Sequence, residues 1–371
     1  MLVIIMSENI SPIVNEDRSV TFNFKSEHAR KVEIAGEFRL GRNVVGPDAP
    51  VASVPMEKTS NNIWTCTTEP VLPGIYRYTF IVDGVRTLDP LNPWRRYHGT
   101  APMSMVKVEG DEPMPWDLIP EITHGTVVIE KFYSEITKQV KCCTVYLPPS
   151  YRSTRKSYPA LYLLHGGGDD YGSWVFDGNA DHIMDYLISK RRAKEIIVVM
   201  PDGRTRTPEE MSKLRSLGGR QPSAVRASIR GMVSDRHINY FVNELMPFIE
   251  SRYRILNGSR AIAGLSMGGA QTFNLLTFHP KMFSAAGMFS SGPADEARGR
   301  LPLIKDMIKR LKLIYVSCGK WDSILEITRS LHSLLEESEI SHIYVEGDGG
   351  HIWSFWQRSL ADFISRFSQT I

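Results

Sequence analysis

The pentapeptide GLSMG at residues 264–268 decides the fold, because it holds a serine between two glycines in the pattern G-x-S-x-G. The preceding residues 261–263 (AIA) are typical of a buried strand, and residues 269–273 (GAQTF) begin a helical pattern. A sharp turn from strand to helix exposes the serine hydroxyl above a sheet, and the glycines leave room for its cramped backbone. A glycine-rich turn with an incidental serine is the alternative, but the flanking strand and helix favour Ser266 as a nucleophile.

Two further residues have the order and the setting that a serine nucleophile requires. Asp322 follows a predicted strand at Leu311–Ser317, and His351 follows the next one at His342–Val345. In hydrolases with this turn, the order along the chain is serine, acid, histidine. A serine hydroxyl is a weak nucleophile at neutral pH, so a histidine has to accept its proton and a carboxylate has to orient that histidine. The sequence therefore predicts Ser266, Asp322 and His351 as a catalytic triad.

Other residues compete for the roles of acid and base. Asp348 is the rival acid, but it lies three residues from His351 on the same loop and is better suited to shaping that turn. His342 falls inside a predicted strand, where a lone histidine is more often structural. His279 ends the helix after the nucleophile, and a histidine at a helix C-terminus suits the helix dipole. The triad above is therefore preferred.

A glycine-rich loop, LHGGG at residues 164–168, ends the predicted strand Ala160–Leu164. Loops of this type supply an oxyanion-hole amide, because glycine lets backbone N–H groups approach the developing negative charge. The second donor is the amide after the nucleophile, which here belongs to Met267. A plain strand-to-helix turn is the alternative interpretation, and it is less convincing beside Ser266. None of these groups requires a cofactor or a metal ion.

The pattern of the chain changes near residue 110, which predicts two domains. Before this point alternating apolar residues predict strands, most clearly at residues 76–82 (YRYTFIV), which end at the turn signal Asp83-Gly84. We expect residues 1–109 to form a small β-sandwich and residues 110–124, which contain three prolines, to form a linker.

Strands and helices alternate through residues 125–371, which predicts an α/β domain with a mostly parallel sheet covered by helices on both faces. The predicted strands are Val140–Leu147, Ala160–Leu164, Ile196–Met200, Arg260–Leu265, Leu311–Ser317 and His342–Val345. The predicted helices are Ile238–Tyr253, Gly268–Phe278, Ile324–Glu337 and Ile352–Phe367.

The bulk composition is that of an ordinary globular protein, with 371 residues, 42% of them hydrophobic and 23% charged. A net charge of +3 is too small to indicate a nucleic-acid or membrane partner. The start, MLVIIMSENIS, has a short apolar run without a basic lead, so we expect no signal peptide there, and no stretch approaches the length of a membrane span. Adjacent Cys142 and Cys143 point to opposite faces of a strand, and no cysteine spacing predicts a metal site.

Residues 201–239 are long for a strand-to-helix connection, which usually takes about two to six residues. This basic insert contains eight basic and four acidic residues. A solvated surface insert and a substrate-facing loop both fit this composition.

The segments that carry the predicted chemistry resemble, as a set, the esterase D type of α/β-hydrolases, and within it the family-one carbohydrate esterases. The matching segments, which fall between Gly125 and the C-terminus, are YLPPSY at 146–151, LLHGG at 163–167, GLSMGG at 264–269, CGKWD at 318–322 and GH at 350–351. The resemblance implies the same triad, with Gly167 as the first oxyanion amide. It also implies feruloyl or acetyl esters of xylan and xylo-oligosaccharides as substrates, and a secreted or periplasmic enzyme.

The front domain resembles the early-set carbohydrate-binding modules found beside glycogen-active enzymes, through VEIAGEF at residues 32–38 and PGIYRYTF at residues 73–80. Such a module joined to a feruloyl-type esterase is a known pairing in enzymes that degrade plant polysaccharides. The resemblance therefore favours a feruloyl esterase that releases hydroxycinnamic acids from cell-wall xylan, with acetylxylan esterase as the alternative.

Two other functions compete with this interpretation. An enterochelin-type esterase also joins a β-sandwich to this catalytic fold, and the basic insert would suit its anionic iron-chelating substrate. A non-catalytic glycan-binding protein is the third possibility, although it would have no reason to keep three triad residues together with their loops.

Four tryptophans lie close to the predicted catalytic segments. Trp353 and Trp356, three residues apart on one helix, are expected to pack in the core. Trp174 and Trp321 fall on predicted loops at the carboxyl ends of strands, where α/β sheets bind their ligands. We therefore predict that one or both flank the acyl group and stack on its aromatic ring.

Overall fold

A computed structural model gives the architecture of the chain. It describes residues 10–40, 43–44, 53–96, 102–207, 209–210, 212, 234–293 and 295–371. Most of the basic insert therefore lies outside the described residues, and the two interpretations of that insert stay predictions.

The front domain is built from two twisted antiparallel sheets, which confirms the predicted β-sandwich. One sheet has the strand order β1-β2-β8-β7, the other β11-β12-β9-β3-β6 with β10 paired to β9, and β4 and β5 form a separate ribbon. The bounds are β1 Ile13–Val14, β2 Val20–Lys25, β3 Val32–Gly36, β4 Arg39–Leu40, β5 Asn43–Val44, β6 Val54–Pro55, β7 Glu57–Lys58, β8 Ile63–Thr67, β9 Gly74–Val82, β10 Val85–Thr87, β11 Arg95–Arg96 and β12 Met103–Val108.

The hairpin between β9 and β10 turns at the predicted dipeptide. Asp83 and Gly84 both have positive φ angles, 47° and 88°, as tight hairpin turns require. Between the sheets, Phe22 packs against Phe38 and Tyr78 with ring centroids 5.0 and 4.6 Å apart. The alternation of apolar and polar residues, together with the turn signal at Asp83-Gly84, therefore predicted the β-sandwich.

Residues 110–124 contain no helix or strand, but they are packed against the second domain. Trp116 is buried, and its carbonyl oxygen accepts a hydrogen bond from Asn179 Nδ2 at 2.9 Å. Residues 110–124 are therefore fixed against the second domain by packing and hydrogen bonding.

The second domain is an eight-stranded sheet with helices on both faces, as predicted. The strand order is β13-β14-β16-β15-β17-β18-β19-β20, and β16 to β20 are parallel to β15. The strands are β13 Thr126–Ser134, β14 Gln139–Leu147, β15 Tyr158–Leu164, β16 Ile197–Pro201, β17 Ile255–Leu265, β18 Ala285–Phe289, β19 Leu313–Gly319 and β20 Ile343–Gly347.

The helices that cover this sheet include all four of the predicted ones, with ends shifted by a few residues. They are α1 Ser173–Phe176, α2 Ala180–Ser189, α3 Asp235–Tyr240, which continues through a π-helical turn at Phe241–Leu245 into α4 Met246–Arg252, then α5 Met267–Phe278, α6 Asp295–Ile308, α7 Leu325–Glu337 and α8 Trp353–Gln369. Strands β13 and β18 and helices α1, α2 and α6 were not predicted.

One hydrophobic core runs through both domains. It joins sandwich residues such as Phe38 and Tyr76 to Trp174, Trp353 and other residues on one face of the large sheet. Contact is close, since a Cβ atom at Gly74 of β9 would lie 2.8 Å from the Cβ of Ser354 in α8. Within the described ranges, no helix is long and apolar enough to cross a membrane.

Candidate active site

The predicted nucleophile lies at the turn between β17 and α5. Ser266 has φ 51° and ψ −116°, a strained conformation that costs a non-glycine residue on the order of 1–3 kcal/mol. Its backbone N–H donates to Phe289 O of the neighbouring strand at 2.8 Å. A Cβ at Gly268 would lie 2.6 Å from the carbonyl oxygens of both Leu164 and His165, so only glycine lets the helix start this close to β15. The strain is therefore held in place by the packing of strand, helix and glycine loop.

Asp322 and His351, which follow neighbouring strands β19 and β20, meet at the same edge of the sheet. His351 Nδ1 lies 3.0 and 3.1 Å from the two carboxylate oxygens of Asp322. An ionised carboxylate only accepts hydrogen bonds, so Nδ1 carries the proton and Nε2 is left as an acceptor. Trp356 packs edge-on against the imidazole with ring centroids 4.9 Å apart. The pair has the tautomer that a general base for serine needs.

Several contacts keep the Asp322 carboxylate charged although its side chain is fully buried. Burial raises its pKa, but the hydrogen bond and charge of His351, the Ile324 N–H at 2.9 Å and the Ser290 hydroxyl together hold the pKa below its usual value. Ser290 in turn accepts a hydrogen bond from Trp356 Nε1 at 3.0 Å. The acid is therefore ionised over the physiological pH range.

The loops that carry the acid and the base are joined by main-chain hydrogen bonds. Trp321 N donates to Gly349 O at 3.0 Å, and Lys320 N donates to Gly347 O at 2.8 Å. The rival acid Asp348 points outwards, where its half-exposed carboxylate lies 3.1 Å from Lys320 Nζ. Its position agrees with a role in the turn.

Among the described residues, no hydrogen bond joins Ser266 to His351. Catalytic hydrogen bonds of this kind are often long before substrate binds and shorten in the reacting complex.

The glycine loop after β15 lies directly beside the serine turn. A Cβ at Gly166 would be 3.6 Å from the Cβ of Ser266, whereas one at Gly167 would meet nothing within 4 Å. Met267 is the first residue of α5, so its N–H has no acceptor within the helix. The amides of Gly167 and Met267 are thus the two candidate oxyanion donors.

His165 fixes one end of this loop. Its Nε2 accepts a hydrogen bond from Gly203 N–H at 3.0 Å, so Nδ1 carries the proton and donates to Gly166 O at 2.8 Å. His165, the first residue of the HGGG-type segment, therefore links the glycine loop to the segment that follows β16.

The prediction that Trp174 lies on a loop is wrong, and its side chain packs in the core instead of facing a ligand site. It belongs to the short helix α1, is only 1% exposed, and packs edge-on against Trp353 with ring centroids 5.1 Å apart. Its Nε1 donates to Leu164 O at 3.0 Å, which supports the glycine loop from behind. Trp353 and Trp356 are buried, as predicted.

Trp321, by contrast, is 42% exposed on the loop that carries Asp322. It lines a cavity of about 190 Å³ between the domains, beside the loop of His351. Tyr76 and Leu72 of the sandwich and Arg358 of α8 line the same cavity. Of the two tryptophans proposed for the acyl group, only Trp321 can reach a ligand.

Comparison with known proteins assigns the family. The family model described as "Putative esterase" matches residues 134–367, which contain the glycine loop, Ser266, Asp322 and His351. The chain belongs to this esterase family. A second model, "Carbohydrate-binding module 48 (Isoamylase N-terminal domain)", matches residues 10–95 of the sandwich.

Two curated relatives of the esterase are similar over different lengths. An endo-1,4-beta-xylanase/feruloyl esterase of Xylanibacter ruminicola is 29% identical over 94% of this chain. Esterase Rv1288 of Mycobacterium tuberculosis is 34% identical over 42% of the chain. The chain spans 44% of the length of the first relative and 29% of the second.

Solved structures share the fold of the esterase. The ferulic acid esterase of Anaeromyces mucronatus superposes with a TM-score of 0.57 at 23% identity, over 70% of this chain and 97% of that one. The enterobactin esterase of Shigella flexneri gives 0.68 at 15% identity, over 95% of this chain and 93% of that one. The second likeness includes both domains.

Ser290 is a site residue of the esterase that sequence reasoning missed. It follows β18, a strand that was not predicted, and it touches the carboxylate of Asp322 from that side. A positive φ of 46°, which is uncommon for a serine, marks this residue in the structure. Within the described residues no group of three or more His, Cys, Asp or Glu side chains could hold a metal ion.

Proposed function

We propose that this esterase hydrolyses carboxylic esters through Ser266, His351 and Asp322, and that its main substrates are feruloyl esters of xylan. The observation that carries the mechanism is the buried pair of Asp322 and His351, at the sheet edge where Ser266 occupies its strained turn. We take residues 125–371 as the catalytic domain and residues 1–109 as the carbohydrate-binding module, joined by 110–124.

The geometry supports a two-step reaction. Ser266 Oγ attacks the ester carbonyl while His351 Nε2 accepts its proton, and the alkoxide that develops receives hydrogen bonds from the Gly167 and Met267 amides. The imidazolium, stabilised by Asp322, then protonates the departing alcohol. Water activated by the same histidine releases the acid from the acyl-enzyme and restores the serine.

Three observations support a feruloyl ester rather than a simple one. The similarity to the xylanase/feruloyl esterase covers both domains. The front domain matches a carbohydrate-binding module family. Trp321, which is 42% exposed, lines the interdomain cavity, where a phenolic ring could stack. Because polymeric xylan does not enter cells, we also propose that the enzyme works outside the cytoplasm.

A comparison of substrates tests this assignment. We expect faster release of ferulate from methyl ferulate and feruloylated xylo-oligosaccharides than of acetate from acetylated xylan, with Ser266→Ala as the blank for spontaneous hydrolysis. Preferred release of acetate would make the enzyme an acetylxylan esterase, and preferred cleavage of a catecholate-serine triester would make it a siderophore esterase. Failure on every ester, p-nitrophenyl acetate included, would favour a glycan-binding protein that keeps the fold.

Trp321→Ala tests the aromatic contact. An aromatic pair contributes about 0.5–1.5 kcal/mol beyond area burial, so kcat/KM for methyl ferulate should fall about 2- to 13-fold more than kcat/KM for p-nitrophenyl acetate. Trp321→Phe should restore most of the difference, and Trp94→Ala, which truncates an exposed tryptophan of the sandwich, is the control. Equal losses on both esters would remove the case for stacking at Trp321.

A further inference from the structure

A buried ion network crosses from the sandwich to the glycine loop of the esterase domain. Arg96, on the edge strand β11, donates from Nε to Asp177 Oδ2 at 2.7 Å and from Nη2 to Asp169 Oδ1. The three side chains are only 6%, 1% and 8% exposed, in that order. One sandwich arginine therefore ends between two carboxylates of the catalytic domain.

A second buried ion pair lies within the sandwich, close enough to the first for its charge to act on Asp177. Arg77 is bound by Glu37, with Nε 2.7 Å from Oε1, and both side chains are buried. Burial raises the pKa of Asp177 to about 6, while the charges of Arg96 and Arg77 oppose that rise. The carboxylates on the catalytic side therefore depend on guanidinium groups supplied by the other domain.

Asp169 is the last residue of the HGGGD segment and touches the oxyanion loop directly. Its backbone N–H donates to Gly166 O at 3.3 Å, and a Cβ at Gly166 would lie 3.1 Å from Asp169 Oδ2. Gly166 in turn lies against Ser266. The chain of contacts thus runs from Arg96 through Asp169 and Gly166 to the nucleophile.

The two ends of this loop are held from different domains. His165, at the start, is braced by Gly203 of the catalytic domain. Asp169, at the end, is held by Arg96 of the sandwich. Gly167 lies between these two anchors, and a Cβ at this residue would meet no other atom within 4 Å.

We propose that Arg96 is a positioning residue for the oxyanion hole: through Asp169 it holds the Gly166–Gly167 amides where the tetrahedral intermediate needs them. The sandwich is then a working part of the active site, whether or not it binds glycan. This inference rests on the proposed serine mechanism. Oxyanion donors act on the transition state and not on bound substrate, so their displacement lowers kcat and leaves KM nearly unchanged.

Arg96→Gln, which removes the guanidinium charge but keeps a polar side chain, is the first test. Complete removal of one oxyanion donor costs about 10²- to 10³-fold in kcat, so we expect a displaced donor to cost about 10- to 100-fold, with KM for methyl ferulate within about 2-fold. Arg96→Lys should recover part of the lost kcat. The neighbouring Arg95→Gln is the matched control, because among the described residues Arg95 Nε donates to Asn92 O, at 3.3 Å, and not to the glycine loop.

Asp169→Asn keeps the inference testable if the arginine variant folds poorly. It removes the charge on the loop side, leaves Arg96 paired with Asp177, and should lower kcat with an unchanged KM in the same way. The folded fraction of each variant is measured by circular dichroism so that kcat refers to folded enzyme. Normal kcat in a folded Arg96→Gln or Asp169→Asn variant overturns the inference while the serine mechanism stands. A wild-type enzyme that cleaves no ester overturns both.

Discussion

Ser266→Ala is expected to lower kcat for ester hydrolysis by about 10⁴-fold or more while the fold stays intact. In the proposed mechanism this hydroxyl forms the acyl-enzyme, because Ser266 is the serine of the G-x-S-x-G turn between β17 and α5. The measurement is the steady-state rate on methyl ferulate, together with the circular dichroism spectrum and melting temperature of the variant.

Three further variants test the same mechanism. Ser266→Gly should be equally inactive and no less stable, because glycine adopts the φ of 51° without the strain that serine bears. His351→Ala should lose as much activity as Ser266→Ala, and the double variant should lose little more, because the triad acts as a unit. Near-normal turnover in folded Ser266→Ala would refute the mechanism.

Asp322→Asn is expected to cost about 10⁴-fold in kcat, as removal of the charge does in other triads. An amide facing His351 Nδ1 can donate a hydrogen bond, which favours the wrong imidazole tautomer and leaves Nε2 unable to accept the serine proton. The buried carboxylate also stabilises the imidazolium, which the neutral amide cannot do. The rate is to be measured on both a feruloyl and an acetyl ester, since the loss should not depend on the acyl group.

Asp348→Asn is the matched control for this variant. The same chemical change is made three residues from His351, but on a half-exposed side chain whose one ionic partner among the described residues is Lys320. Surface pairs of this kind contribute little, so activity should stay within about 2-fold of the wild type. The reverse ranking of the two variants, with both folded, would mean that Asp348 is the acid.

The catalytic half of the fold could be predicted because its chemistry fixes local geometry. A G-x-S-x-G turn needs a strand before it and a helix after it, and the structure has both, β17 and α5. The positions of Asp322 and His351 beyond the next strands followed from the order of parallel strands along the chain, and the structure brings the two side chains into contact.

Strand β18 escaped prediction because residues 285–289 (AAGMF) lack the β-branched residues and the alternation that indicate a strand. It is a central strand buried on both faces, where alternation is not required. Ser290, which follows it, was missed for the same reason.

Other features of the structure depend on tertiary contacts, which a sequence pattern does not reveal. Trp174 was assigned to a loop because a glycine-rich segment precedes it, but the docking of α8 against α1 buries it. Arg96 is separated by 73 residues from Asp169 and by 81 from Asp177, and no local pattern links such distant partners. Contacts between domains become visible only when both domains are folded.

The continuous core that joins sandwich and esterase has a consequence for how such enzymes change over evolutionary time. A module tethered by a flexible linker can be lost or exchanged by recombination without damage to its neighbour. Here the exchange would uncover the apolar surface around Trp353 and leave Asp169 and Asp177 buried without their arginine. We therefore expect the two domains to be inherited as a pair, with substitutions on one side of their boundary constraining those accepted on the other.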